Sequence, residues 1–493
     1  MKKLFTLLAA VILPAGMLFA QNNMATQTVV GDRNDLEATQ RGNSNVSTQT
    51  TKGSDNRATV DQRGRMNVAE QIQGTGWSDQ NDAMATQRGR ENNVLQTQYY
   101  DGNNATSFQK GRENTVVQTQ ISSDSKFDDT GNSANASQKG RENSATQIQG
   151  ENSGVNRTHY LSGNVADIQQ KGRENSSLQT QYGANNKATG TQDGKRNDLV
   201  QDQGVGWAEF NTAVSAQNGE DNSVNQKQRY DGNEAYATQE GNNNTIIQDQ
   251  SSSDTHASGE NYARSAQEGN DNLSTVYQRG TNQGVSEQTG NDNESHIIQD
   301  GKNGAQIEQI GNTNYSMINQ AGVWNFAYAL SNGDDNTVNV GQFGVSNKSY
   351  TSILGSGNDV GVLQIGSSNT SGTYADFQNG DFGVTIIGDD NLVGLMQFGN
   401  GNMSTQTVTG DSNIVGAIQW IDGNSSVQSI EGDLNIVGAI QFGTGNMADQ
   451  FILGDSNIAG VLQIGDGNSA TQTVTGSNNT TVISQFGFGN VTP

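Results

Sequence analysis

Between Gln40 and Asn272 the motif Gln-x-Gly-x-x-Asn occurs ten times, and the step from Gln to Asn is five residues every time. The pairs are Gln40/Asn45, Gln62/Asn67, Gln87/Asn92, Gln109/Asn114, Gln138/Asn143, Gln170/Asn175, Gln192/Asn197, Gln217/Asn222, Gln239/Asn244 and Gln267/Asn272. The interval from one pair to the next is elastic, between 22 and 32 residues. A turn of fixed length joined to a return of variable length is the pattern of a coil repeated along an axis, and self-similarity at such a period marks stacked architectures.

Each pair sits inside a period-two alternation. Before the turn runs Asn56-x-Ala58-x-Val60-x-Gln62, or Asn132-x-Ala134-x-Ala136-x-Gln138; after it runs Asn143-x-Ala145-x-Gln147-x-Gln149. Small or amide residues at alternate positions, with mostly Thr, Asp, Glu, Arg or Lys between them, predict half-buried strands. One unit is then strand, tight turn, strand, return. Coils stacked about 4.8 Å apart set like side chains over one another, so inward Gln and Asn bond to their own copies as amide ladders. A buried amide without a partner costs roughly 1–3 kcal/mol, so an amide-rich interior demands such a stack. Glycine in the turn, as at Gly89 or Gly140, allows backbone angles that a side chain forbids. The expected fold is all-β: a β-solenoid of about 20 coils with a basic period of 22 residues in two halves of 11, giving a rod about 100 Å long. A hydrophobic content of 31% and a mean hydropathy of −0.72 would by themselves suggest disorder. Disorder, however, keeps no phase. The two prolines, Pro14 and Pro493, both lie outside the array, which suits uninterrupted strand pairing.

Surplus residues in the first array fall in the return arc, around 74–80, 121–131, 150–163, 204–210 and 251–260. These read as surface loops. They carry Trp77, Phe127, His159, Tyr160, Trp207, Phe210 and His256, either as a side-on recognition edge or as unconstrained loops. From Gly322 the interval tightens: Gly322, Gly344, Gly366, Gly388, Gly410, Gly432, Gly454 and Gly476 are spaced by 22, each with Asn three residues later. Between the two arrays Gln267, Gln278, Gln288, Gln299, Gln309 and Gln320 step by 10 or 11, so the coil is expected to continue. The chain divides into a leader (1–20), an array with return-arc insertions (21–273), a half-repeat junction (274–321) and a strict 22-residue array (322–493). In the last of these, Asn413, Val415, Ala417 and Gln419 point inward by parity, yet the opposite face is apolar too. Ile414, Ile418 and Trp420 recur as Ile436, Ile440 and Phe442, then as Ile458, Leu462 and Ile464. A strand apolar on both sides is normally covered on both sides, and no segment of the chain is left to cover this one. The expectation is a stripe for lateral association or surface contact.

Lys2 and Lys3, an apolar run from Leu4 to Phe19 and Ala20 before Gln21 form a secretory signal peptide with cleavage near Ala20. No later segment is long and apolar enough for a membrane span. The formal charge of −24 becomes −26 without the leader lysines; such a surface repels nucleic acid and anionic lipid. There is no cysteine, so disulfides and thiol chemistry are excluded. His159, His256 and His296 belong to no nucleophile–base arrangement, and no active site, cofactor or metal site is assigned. The Gly-Arg-Glu-Asn turns at Gly89, Gly111, Gly140 and Gly172 suggest Arg and Glu columns paired between coils, against an anion or carbohydrate contact. Gly410-Asp411-Ser412-Asn413 lacks the second glycine and the carboxylate spacing of calcium-binding nonapeptides.

The unit Asn/Ser-x5-Gln-x-Gly-x2-Asn-x-Ala-x3-Gln resembles the curlin repeat of bacterial curli fibres. Asn56, Gln62, Gly64, Asn67, Ala69 and Gln73 fit it throughout, as do Asn132, Gln138, Gly140, Asn143, Ala145 and Gln149. The resemblance implies a secreted protein of the extracellular cell surface, a curli-like amyloid fibre subunit or nucleator that supports adhesion and biofilm matrix. Its partners would be its own copies or related curlin-type subunits. Asn replaces the commoner leading Ser, and the array is several times longer than a typical curlin. That length opens an alternative, a non-polymerising extracellular rod that works as an adhesin or surface-binding module. The turn Gly487-Phe-Gly-Asn490, with no polar cap in sight, favours polymerisation.

Overall fold

The computed structural model describes residues 22–74, 79–122, 131–150, 162–204, 208–252, 260–371 and 383–492. The leader, its cleavage site and Trp77, Phe127, His159, Tyr160, Trp207 and His256 lie outside the described residues.

The alternation seen in the sequence becomes two strands per coil. A leading strand, such as Arg57–Arg65, pairs in parallel with its counterparts one coil before and after, Asp35–Asn43 and Asp82–Arg90. A following strand, such as Val68–Gln73, lies likewise between Val46–Lys52 and Asn93–Tyr99. The result is an all-β solenoid of about 19 turns in which two parallel sheets face each other. Inward residues are those of the alternation: Asn, a small residue and two further positions from each strand are buried in coil after coil. Among the described residues no helix is long and apolar enough to cross a membrane.

The turn between the two strands explains its fixed length. Its glycine sits directly over the glycine of the next coil, and a Cβ on Gly140 would lie 1.8 Å from the carbonyl oxygen of Gly172. The residue just before each following Asn is also left-handed, as at Glu91 with φ 58° and Glu142 with φ 58°. Coils pass through the junction without a break at an interval of 21 residues, Gln267 standing over Gln288 and Gln288 over Gln309.

The glycine series from Gly322 to Gly476 is not one column. Gly322, Gly344 and Gly366 stack in one, and the next member is Gly399; Gly388 belongs to the opposite edge, over which stands Gly355. At this step the coil interval is 33 residues, with Asp359–Ser367 paired to Leu392–Asn400. Eleven residues, 372–382, separate Ser371 from Gly383–Val384 within one leading strand, which pairs on both sides of them with Lys348–Leu354. Because 11 is one half-unit, the glycine spacing of 22 survives an insertion that moves it to the other edge.

Candidate functional site

Two asparagine columns run the length of the solenoid without a gap. One, on the leading strands, extends from Asn34 to Asn490. The other, on the following strands, extends from Asn23 to Asn479. Asn45, Asn67, Asn92, Asn114, Asn143, Asn175, Asn197, Asn222, Asn244 and Asn272 all stand in the second. The geometry at Asn92 is representative. Its backbone N–H and its Nδ2 donate to Oδ1 of Asn67 at 3.2 and 2.9 Å, and Nδ2 also donates to the Gly111 carbonyl at 3.1 Å. The side chain therefore closes the turn and ties three coils together.

Glutamine ladders run beside them in the opposite donor sense, each Nε2 reaching the Oε1 of the coil that follows. Gln40, Gln62, Gln87, Gln109, Gln138, Gln170, Gln192, Gln217, Gln239 and Gln267 form one column, at 2.7–3.1 Å, which continues to Gln309. Two more ladders rise from the following strands. The first spans Gln27 to Gln248, and the second spans Gln73 to Gln485.

Ladders also start and stop inside the rod, which the constant Gln-to-Asn step conceals. The column of Gln40 passes after Gln309 to Ser331, Ile353, Ile386, Val408, Ile430, Ile452 and Val474. That of Gln27 passes after Gln248 to Val276, Ile297 and Ile318. In the last coils a new ladder, Gln406 to Gln472, opens in a column held earlier by small and aliphatic residues such as Ala85 and Ile168. Hydroxyls close most of the ends. Thr51 donates to the head of one ladder at Gln73, while Gln248 and Gln309 end on Ser265 and Ser316. Gln472 and Gln485 end on the hydroxyls of Thr481 and Thr492, where the sequence had shown no polar cap. At the head of the new ladder the buried Oε1 of Gln406 has no partner among the described residues.

On the outer side of the C-terminal following strands, Ile414, Ile418, Trp420, Ile436, Ile440, Phe442, Ile458 and Ile464 are 37–47% exposed, and Leu462 is half-buried beside them. Trp420 lies between Phe398 and Phe442, with ring centroids 4.7 and 6.2 Å away. The charged rims differ from the expected pairing between coils. In the Gly-Arg-Glu-Asn turns, Arg90, Arg112, Arg141 and Arg173 each pair with the adjacent glutamate of their own turn, because the left-handed Glu turns its carboxylate back toward the preceding arginine. Pairing between coils occurs at other positions, as Arg33 with Asp55 and Arg196 with Asp221. These hydrogen bonds hold the Asp55 and Asp221 carboxyls below the usual carboxylate range, whereas burial pushes Asp202 up. In the Gly-Asp turns the carboxylate of Asp411 accepts the backbone N–H of Asp389 at 2.8 Å, and Asp433 does the same for Asp411, which gives these acids a structural task. Among the described residues no three His, Cys, Asp or Glu side chains group to hold a metal ion. An open groove is lined by the aromatic side chains of Tyr262, Trp324 and Phe326, and Lys302 Nζ lies 4.0 Å from the Trp324 ring centroid.

The curlin associated repeat family matches this chain over residues 31–64, 317–344 and 333–366. The matched stretches lie in both arrays, and each contains the turn glycine and the column asparagines described above. No curated protein matches the chain.

Proposed function

We propose that this chain of curlin-associated repeats is a secreted structural protein, not an enzyme, which acts outside the cell as a preassembled rod and offers its long faces for adhesion within a surface matrix. The leader pattern of residues 1–20 supports export. What carries the preference for a rod over a fibre subunit is the change of column in the glutamine ladders. Growth by stacking copies end on end needs coils that continue one another's ladders. An early coil offers Gln62 and Gln71 at columns where a late coil offers Ile452 and Val461. A late coil in turn offers Gln450 at the column of Val60. Setting such coils on one another buries amides against aliphatic side chains, at roughly 1–3 kcal/mol for each unpaired group.

The second reading, a curli-like amyloid subunit or nucleator, draws its support from the two asparagine columns, which are the same in every coil. Thioflavin T kinetics and sedimentation of residues 21–493 separate the two. The rod predicts β-rich particles of limited size that do not consume added protein. Fibres that elongate on addition of fresh chain would replace the rod by the subunit.

A further inference from the structure

We infer that the C-terminal apolar face is the contact surface for a second copy of this chain, the two rods lying parallel about a two-fold axis that runs along their length. The surface spans six coils, from Asp359–Ile365 to Thr480–Phe486, and Asp359 is the only charged side chain on it. Glycine forms its second outward column: Gly361, Gly394, Gly416, Gly438 and Gly460. None of the five has a left-handed backbone, and a Cβ would meet nothing within 4 Å at Gly361, Gly394 or Gly438. Neither the turn geometry nor the packing of this chain requires glycine there. Glycine weakens a strand, and in a strand interior it often marks a place where another chain comes close. Here it cuts a trough along an otherwise apolar sheet.

The surface is complementary to itself under that one operation. A two-fold axis along the rod reverses the order of the four outward columns and keeps each coil level with its mate. The Ile418–Ile440–Leu462 ridge then enters the partner's glycine trough, twice by symmetry. The Ile414–Ile436–Ile458 ridge meets the partner's Trp420–Phe442–Ile464 column. A two-fold axis across the rod would instead set trough on trough. Six coils of seven residues cover about 29 by 23 Å, so the pair buries about 1,300 Å² in all, within the range of stable protein interfaces. The same operation also sets a limit to the contact. In the coil of Glu294–Asp300 it brings Glu294 opposite the partner's Asp300, acid against acid, so the pairing belongs to the C-terminal coils.

Sedimentation velocity on residues 21–493 tests this. A reversible dimer is expected. Gly416→Val with Gly438→Val fills the trough from outside the core, so it is expected to weaken the dimer at least about tenfold while the melting temperature stays level or rises. The chain has no cysteine, so single thiols report geometry. A short bis-maleimide is expected to join Gly438→Cys chains to Ile440→Cys chains in a mixture, and not Gly438→Cys chains to each other. A monomer at every concentration, or a dimer indifferent to the valines, would overturn the pairing while leaving the rod itself in place. Cross-linking by Gly438→Cys alone would overturn the axis proposed.

Discussion

An amide in this core is held by its neighbours in three coils, and its cost on removal is set by what those neighbours lose. Gln109 accepts from Gln87 at 3.0 Å and donates to Gln138 at 2.9 Å, and Gln138 donates to Gln170 at 2.7 Å. Replacing Gln109 and Gln138 by Ala removes one of the three acceptors of Gln87 Nε2, which keeps the Val68 and Asn92 carbonyls, and strands the Oε1 of Gln170 in a dry interior. That stranded oxygen costs about 1–3 kcal/mol, before the lost ladder bonds and any cavity term. Lys110 and Lys139, one residue along, are exposed, and their replacement by Ala is expected to stay within about 0.5 kcal/mol. Urea unfolding followed by circular dichroism should therefore separate the two double variants clearly. Equal losses would mean that the ladder is not what holds these coils.

Among the elements, the turn was the most legible in sequence and the ladders less so. A glycine whose Cβ would strike the next coil's carbonyl cannot vary, so the Gln-to-Asn step records it directly. The inward parity followed from the period of two, and with it the outward position of Ile414, Ile436 and Ile458. The hand-over of ladders escaped notice because Gln occurs at more than one inward position of most coils, and a count of Gln cannot tell one column from another. The insertion at 372–382 escaped for a related reason: its length equals a half-unit, so glycine spacing is blind to it. That coincidence yields a direct test. Ser371 and Val384 already occupy successive inward positions of one strand, with Gly383 between them, and they pair in step with Ser349 and Thr351. Deleting residues 372–382 restores the 22-residue interval without moving any column. The shortened chain is expected to keep its β-rich spectrum and lose no more than about 1 kcal/mol of stability. Deleting the same number of residues at 392–402 removes the strand Leu392–Asn400 and serves as the comparison. If both deletions unfold the chain alike, the register assigned across residues 359–392 is wrong.

Along the whole molecule the core changes character, and a solenoid is the architecture in which such a change has local consequences. Each coil touches only its neighbours, so stability is close to a sum over coils and interfaces. In the first array the apolar core is broken into small clusters of Ala, Val and single larger residues between amide ladders. From Ala263 to Val474 one continuous apolar cluster runs down the interior, built largely from Ile, Val and Leu in the vacated glutamine columns. A net hydrogen bond contributes about 0.5–1.5 kcal/mol, whereas full burial of Ile or Val contributes about 1.5–3 kcal/mol. The later coils should therefore open less readily than the earlier ones, several of whose return arcs also carry insertions. Hydrogen exchange with mass readout, taken at rising urea, follows each part of the chain separately. Backbone amides within residues 327–474 are expected to remain protected at urea concentrations where those within 46–250 already exchange. Loss of protection at one common concentration would show a single cooperative unit, and earlier loss in 327–474 would show that the ladders, not the aliphatic columns, are the stronger core.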